Sequence, residues 1–164
     1  MARAMQIDRR NFLGGGALAA IAIALPGCGA EAAPASFPFR LTDAQWRARL
    51  NPQQYAVLRQ AATERAGSSP LDREHRRGTF RCAGCDWPLY SSTTKFDSGT
   101  GWPSFFRPLP RAIATREESS MLGGRTEVLC ANCGGHLGHV FNDGPRPTGL
   151  RYCMNGVAMA FRPA

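Results

Sequence analysis

The stretch RTEVLCANCGGHLGHVFNDGP, residues 125–145, contains the residue types that decide the fold. It begins as a strand-like run, reaches a C-x-x-C pair at Cys130 and Cys133, turns on two glycines and continues with two histidines. A second pair, CAGC, lies upstream at Cys82 and Cys85. Tetrahedral zinc binds four soft ligands at about 2.3 Å, and each C-x-x-C turn offers two sulfurs to one ion. The two pairs therefore predict a closed, structural zinc site that fastens distant parts of the chain together.

Short apolar runs separated by Gly, Pro and Asn turns continue on both sides of this stretch. They are GTFRC, RAIATRE, RTEVLC, HLGHVFN and RYCMNGVAMAFR, and they occupy the chain from Gly78 onward. This pattern is typical of antiparallel strands in a small β domain. We therefore expect a mainly β (α+β) fold, in which short helices cover a twisted β core.

Two short helices are predicted before the strands. Thr42 and Gln45 have capping-box spacing at the start of DAQWRARL. Asn51 is placed to cap a second helix, with Pro52 at the first helical position. The side chains expected on one face of this second helix are Tyr55, Leu58, Ala61 and Ala62. RAGSSPLD is expected to end it.

The N-terminal residues predict an export signal. IDRRNFLGGGALAAIAIALPG, residues 7–27, carries the pair Arg9–Arg10 before a weakly apolar run. That run is shorter than the roughly 20 apolar residues that span a bilayer. Three consecutive glycines disfavour a buried helix, since each costs roughly 1 kcal/mol. The segment resembles a bacterial twin-arginine signal and predicts a periplasmic protein.

The end of this signal has two alternative interpretations. LPGCG resembles a lipoprotein processing site that would leave an acylated Cys28 as a membrane anchor. Cleavage near AEAAPA, among small residues, is the rival. The predicted organisation is a signal segment at 1–28, a linker rich in Ala and Pro at 29–40, and one domain at 41–164.

A disulfide framework is the alternative to the zinc site, because six cysteines is an even number in an exported chain. Both C-x-x-C pairs, however, share the same spacing and glycine-rich turn chemistry. A twin-arginine signal also implies export in the folded state. Metal bound in the reducing cytosol would then occupy the thiolates before they reach an oxidising compartment.

A lone cysteine and two histidines form the candidate reactive group. Cys153, in LRYCMNGVAM, has no neighbouring cysteine. His136 and His139 are two of the three histidines in the chain, and their spacing is shorter than that of a usual histidine metal pair. A pair placed this close to the metal turn favours function over two core histidines. Taken alone, Trp102 is as readily explained as a core aromatic residue as by a functional role. Asn155 taken alone would be interpreted as a turn residue.

Several separated segments resemble one family in order. RCAGC, KFDSGTGWPSF, RTEVLCANCGGHLGHVFNDGP and RPTGLRYCMN are similar to motifs of the B-type peptide-methionine sulfoxide reductases, and the likeness runs from about Leu41 to Phe161. The resemblance implies two antiparallel sheets stapled by zinc, action on the R epimer of methionine sulfoxide, and a cysteine nucleophile at Cys153. It places four other residues on substrate-pocket positions: Trp102, His136, His139 and Asn155.

The implied chemistry agrees with these residue types. A thiolate attacks a sulfoxide sulfur whose oxygen is protonated, so Arg151 and nearby histidines are expected to lower the pKa of Cys153. His136 and His139 are expected to protonate the leaving oxygen, and Trp102 to pack against the methyl group. The product on the enzyme is a sulfenic acid. The catalytic candidates are thus Cys153, His136 and His139, and the substrate-binding candidates are Trp102, Asn155 and Arg151.

The chain departs from the family in two places. Many members carry a resolving cysteine within SGCGWPSF, where this chain has Thr100. An external thiol, from a thioredoxin-like protein or a small molecule, is therefore expected to reduce the enzyme. The segment TERAGSSPLD, in the loop after the second helix, also differs from the sequence usual in the family, so the resemblance does not extend to the rim of the pocket.

A non-catalytic zinc-ribbon binding module is the competing class. It accounts for the four paired cysteines and for the formal net charge of +8, which suggests an anionic partner. The arginines are scattered along the chain, however, and export removes nucleic acid as a normal partner. A binding module also leaves Cys153 and HLGH unexplained.

Overall fold

Two capped helices begin the part of the chain that the structure describes. The structure is a computed structural model that describes residues 37–118 and 124–164. Helix α1 spans Asp43–Arg49 and helix α2 spans Pro52–Gln60. Each opens with the reciprocal hydrogen bonds of a capping box, Thr42 with Gln45 and Asn51 with Gln54. Both predicted helix starts are confirmed.

The end and the buried face of α2 differ from the prediction. Its buried residues are Tyr55, Val57 and Leu58. Ala61 adopts the left-handed conformation, with φ 54°, and this ends the helix. The next residue, Ala62, donates its backbone N–H to the carbonyl of Ala56, a bond typical of a helix C-terminus. The helix thus stops before RAGSSPLD. Ala61 is exposed and does not belong to the buried face.

Nine strands follow within the described residues, and they form two antiparallel sheets. They are β1 Gly78–Cys82, β2 Pro88–Ser91, β3 Lys95–Phe96, β4 Ser104–Phe105, β5 Ile113–Glu118, β6 Arg125–Cys130, β7 His136–Phe141, β8 Arg151–Met154 and β9 Met159–Pro163. The smaller sheet has the order β2-β1-β9 and the larger sheet the order β3-β4-β8-β7-β6-β5. The predicted fold class is confirmed.

The run RYCMNGVAMAFR is not one strand, as its apolar pattern predicted, but two. Strand β8 belongs to the larger sheet and β9 to the smaller one, with a 3₁₀ turn at Gly156–Ala158 between them. Asn155 lies at the crossing, where its backbone N–H and its side-chain amide both donate to the carbonyl of Leu137, at 2.7 and 3.2 Å. These bonds satisfy polar groups at the point where the chain has left one sheet and has not yet entered the other.

Aromatic side chains join the two sheets. Phe80 and Tyr90 of the smaller sheet pack against Phe105 of the larger one, with ring centroids 4.9 and 4.3 Å apart. All three rings are fully buried. The hydroxyl of Tyr90 lies 3.2 Å from the sulfur of Met154. This layer fixes the end of β8 relative to the smaller sheet.

The signal segment and most of the linker, including Arg9, Arg10 and Cys28, lie outside the described residues. Within the described residues, no helix has the length and apolar character needed to cross a membrane.

Candidate metal centre and active site

The two C-x-x-C turns have the same local geometry. In the first turn Asp86 donates its backbone N–H to the carbonyl of Cys82, and in the second Gly134 donates to Cys130, both at 2.8 Å. Asp86 and Gly134 occupy equivalent positions and both have positive φ, 58° and 67°. One turn follows β1 and the other follows β6, so each sheet contributes two thiols.

The four sulfurs of this metal centre, from Cys82, Cys85, Cys130 and Cys133, all lie within 4.8 Å of one another. Sulfur distances across the two turns are 3.7 Å for Cys82 to Cys133 and 3.6 Å for Cys85 to Cys130. A tetrahedron of sulfurs about 2.3 Å from a central ion has edges of about 3.8 Å. Hydrogen bonds with Cys130 raise the pKa of Cys82 and lower that of Cys85. The arrangement fits one metal ion and gives it no open position.

A separate cavity of about 220 Å³ contains the lone cysteine. Its walls come from the larger sheet, the loop before β4 and the segment after α2. The lining residues are Thr63, Trp102, Arg125, Gly138, His139, Phe141, Cys153 and Asn155. Four of the predicted site residues, Cys153, His139, Trp102 and Asn155, are thus brought together. Sequence reasoning missed the other four.

Strand pairing positions Cys153 in the middle of the larger sheet. In β8 it lies opposite Ser104 of β4 on one side and His139 of β7 on the other. Gly138 has φ 153°, and a Cβ there would lie 2.1 Å from the Cys153 carbonyl oxygen. Only glycine allows this close approach of β7 to β8.

The surroundings of Cys153 raise its pKa, although the sequence predicted that they would lower it. Burial raises the pKa of the Cys153 thiol above its ordinary value. A hydrogen bond from Thr100 and the positive charge of Arg151 act in the other direction and offset only part of this rise. The predicted lowering is wrong because the thiol is taken out of water, which disfavours the anion more than these two partners favour it.

Arg151 lies beside the cavity and not in its wall. Its guanidinium makes two hydrogen bonds to Asp143, at 2.9 and 2.8 Å, and lies 4.5 Å above the ring of Phe141. Asp143 raises the pKa of Arg151, which therefore keeps its charge. This geometry fits an electrostatic effect on Cys153 better than the predicted direct contact with substrate.

The two histidines have different environments. His139 lines the cavity, and its Nε2 lies 3.2 Å from a carboxylate oxygen of Glu118. His136 is buried behind it, with Nδ1 2.7 Å from Glu127, and the two imidazole rings are 5.4 Å apart. Glu127 is fully buried and also pairs with Arg116 at 2.6 Å. Burial lowers the pKa of His136. The structure thus separates a cavity histidine from a buried one, although the sequence suggested equal roles.

Comparison with known proteins identifies the family. The family model for the SelR domain matches residues 50–163. This chain belongs to the SelR family. It is 54% identical over 123 residues to the peptide methionine sulfoxide reductase MsrB of Agrobacterium fabrum, covering 74% of this chain and 91% of that protein. It is 56% identical over 124 residues to the MsrB of Thiobacillus denitrificans, covering 74% and 93%. The MsrB of Leptospira interrogans is 50% identical over 122 residues, covering 74% and 93%.

Within this SelR domain, Glu64 connects parts of the site that sequence analysis treated separately. Its carbonyl accepts from the indole N–H of Trp102 at 3.2 Å, and its backbone N–H donates to the side-chain oxygen of Asn155 at 2.9 Å. Its carboxylate accepts from the backbone N–H groups of Gly156 and Val157, at 2.6 and 2.9 Å. The one sequence feature that could have drawn attention to Glu64 was its position in TERAGSSPLD, the segment whose sequence differs from that usual in the family.

Proposed function

We propose that this chain reduces methionine (R)-sulfoxide, mainly in oxidised proteins, back to methionine at the expense of thiols. The observation that carries the proposal is the position of Cys153, which lies apart from the metal centre in a cavity walled by Trp102, His139 and Asn155. The cavity of about 220 Å³ is below the roughly 300–1,000 Å³ of pockets for drug-sized ligands. This size suits a single side chain. Membership of the SelR family supports the same activity.

The thiolate of Cys153 begins the reaction by attacking the sulfoxide sulfur. His139 donates a proton to the sulfoxide oxygen, which makes the sulfur electrophilic. The attack joins the two sulfurs. This new S–S bond and the S–O bond of the substrate then break while the hydroxyl oxygen is transferred to the Cys153 sulfur, so methionine leaves with its sulfur reduced and Cys153 is left as a sulfenic acid. One thiol is oxidised for each sulfoxide reduced. Glu118, 3.2 Å from His139, is placed to orient the imidazole.

Binding of the sulfoxide side chain is assigned to the other cavity walls. The face of Trp102 suits the methyl group, since sulfur and its substituents pack well on aromatic rings. The indole is held in place by its hydrogen bond to the Glu64 carbonyl, at 3.2 Å. Asn155 is fixed by its own bonds to Leu137 and Glu64. The R epimer is assigned by membership of the family.

An external thiol completes the cycle. It attacks the sulfenic acid of Cys153, releases water and forms a mixed disulfide, which a second thiol then reduces. Thr100 occupies the place of the internal resolving cysteine. In residues 37–118 and 124–164 the other cysteines are the four of the metal centre. A thioredoxin-like protein or a small thiol is the proposed reductant.

The metal at the four cysteines is proposed to be zinc. Four thiolates in a closed tetrahedral set are the usual ligands of structural zinc. The ion would cross-link the turn after β1 to the turn after β6 and so hold the two sheets together. All four ligand positions come from the protein, which supports a structural role.

Export to the periplasm is proposed from the sequence of residues 1–28. The pair Arg9–Arg10 and the short apolar run support a twin-arginine signal. Acylation of Cys28, which would anchor the protein to the membrane, and cleavage further on remain the two alternatives. The intact mass of the exported protein distinguishes them, because an acylated N-terminus is heavier by its lipid chains.

Replacing Cys153 by serine tests the proposed function. The variant should bind metal and fold as the wild type does, and should consume neither epimer of methionine sulfoxide. The wild type should consume only the R epimer. Equal consumption of both epimers, or full activity of Cys153→Ser, would contradict the proposal. A non-catalytic binding module would keep its properties in that variant.

A further inference from the structure

A second, larger concavity lies beside the Cys153 cavity. It has a volume of about 710 Å³ and runs between α2, the segment that follows it, and the start of β9. Its walls include Gln53, Ala56, Thr63, Leu71, Val157 and Ala160. We call it the Thr63 groove. Its volume lies within the range of about 300–1,000 Å³ expected of a ligand site, and it is much larger than the cavity beside it.

The groove and the cavity adjoin at one residue. Thr63 lines both of them. Its neighbour Glu64 fixes this junction, because its backbone holds Trp102 and Asn155 on the cavity side. Its carboxylate is bonded to Gly156 and Val157 on the groove side. The groove therefore lies next to the cavity, and Glu64 holds residues in the walls of both.

The groove also runs along the edge of a sheet. Met159 and Ala160, which line it, belong to β9. Strand β9 pairs with β1 on one side, and no strand among residues 37–118 and 124–164 pairs with its other side. An edge strand offers backbone N–H and C=O groups to an extended peptide, and such bonds do not depend on the peptide's sequence. A repair enzyme that meets oxidised methionine in many sequences requires recognition of this kind.

The lining side chains agree with a neutral, extended occupant. Ala56, Val157 and Ala160 are small or apolar, and the Glu64 carboxylate is already occupied by two backbone N–H groups. Of the lining residues, Arg65 carries the one charge left without such a partner in the described part of the chain, and it is exposed at the rim. The groove is thus suited to main chain and small side chains rather than to a phosphate or a nucleotide.

We propose that the Thr63 groove binds the polypeptide segment that flanks an oxidised methionine, while the sulfoxide side chain enters the Cys153 cavity. This inference rests on the proposed function and adds to it a recognition site for the substrate chain. It predicts that the enzyme distinguishes protein-bound from free methionine sulfoxide through residues that never touch the reacting sulfur.

The test is to fill the groove from two opposite walls. Ala56→Arg places a long side chain on α2, where arginine has a high helix propensity. Ala160→Tyr places a ring on β9, where aromatic residues are favoured. Ala48→Arg is the matched control, because Ala48 is an exposed residue of α1 that does not line the groove. Each full-length variant is assayed with free methionine (R)-sulfoxide and with an unfolded protein whose methionines have been oxidised.

Both groove variants should lose about five- to tenfold in kcat/KM with oxidised protein, the size expected for blocking a contact region. They should keep the wild-type value with free methionine (R)-sulfoxide, and Ala48→Arg should keep both. Equal kcat/KM of variants and wild type on oxidised protein would overturn the proposal. An increase on oxidised protein would overturn it too, since it would assign the groove to the chain's own residues 1–36. If the wild type reduces neither substrate, the proposed function itself fails, which is a different result.

Discussion

The hydroxyl oxygen of Thr100 lies 3.9 Å from the thiol sulfur of Cys153. Thr100 is in turn 2.8 Å from the hydroxyl of Ser98, which is 2.8 Å from that of Ser104. Ser104 is fully buried and lies opposite Cys153 in the sheet. The position where the family resemblance implies a resolving thiol in many members is thus occupied by the end of a chain of hydroxyl groups, which places a hydroxyl beside the Cys153 sulfur.

Removing this hydroxyl should make Cys153 a weaker acid. The pKa of Cys153 is raised by burial and lowered by Thr100, so Thr100→Val removes a lowering effect and the pKa rises further. Because the thiolate is the reactive form, the rising limb of the kcat/KM profile should move to higher pH. At neutral pH the rate should fall about tenfold for each pKa unit.

Alkylation of Cys153 measured against pH checks this expectation, with the modified residue identified by mass. Thr115→Val is the control, since Thr115 is an exposed residue of β5, the strand at the far edge of the sheet. A pKa of Cys153 that is unchanged or lower in Thr100→Val would contradict the prediction.

The sulfenic acid should persist when no reductant is present. Wild-type protein without thiols is expected to consume one equivalent of substrate and stop, with one oxygen added to Cys153. Thr100→Cys places a second sulfur close to Cys153 and should convert this state into an intramolecular disulfide, detected as the loss of two hydrogens. Thr115→Cys, on β5, should behave as the wild type. An internal disulfide to Cys153 in the wild type would show that the recycling scheme is wrong.

The two histidines should respond differently to the same substitution. His139→Asn removes the cavity acid and should lower kcat by about 10²–10⁴-fold, with little effect on thermal unfolding. His136→Asn removes one of the two partners of the fully buried Glu127 and should lower the free energy of unfolding by about 2–3 kcal/mol. Steady-state kinetics and thermal denaturation separate the effects. Equal loss of kcat in both variants, with neither destabilised, would restore the equal roles suggested by the sequence.

Loss of one metal ligand should affect folding before catalysis. Cys130→Ser removes a sulfur from the set that joins the two sheets, and structural zinc contributes roughly 10–16 kcal/mol in small peptides. The variant should lose its metal and its cooperative unfolding transition. Cys153→Ser should retain both. Elemental analysis together with thermal unfolding measures this, and a folded, active Cys130→Ser would refute the structural role.

The features that were predicted correctly depend on local chemistry. Capping boxes at Thr42 and Asn51, the paired C-x-x-C turns and the strand runs each follow from residues a few positions apart. The same holds for β1 and β6, whose bounds coincide with the predicted runs. Such features can be predicted without knowing which distant segments pack against them.

The features that were missed depend on distant contacts. Glu64 touches residues 38 to 93 positions away, and nothing in TERAGSSPLD indicates those partners. The burial of His136 and the rise in the pKa of Cys153 depend on how tightly other elements cover them. Spacing placed the two histidines together, but only packing shows that one of them faces away from the cavity wall.

The crossing of the chain between sheets at Asn155 ties the smaller sheet to the chemistry. Asn155 follows Cys153 by two residues, and the strand after it, β9, pairs with β1, which ends at Cys82 of the four-cysteine cluster. A shift of the smaller sheet is therefore transmitted along a short covalent path to Cys153. The consequence is epistasis across the domain. Substitutions at Phe80 or Phe161, which do not line the cavity, should change which substitutions at Asn155 the enzyme tolerates, so the two regions are expected to evolve together.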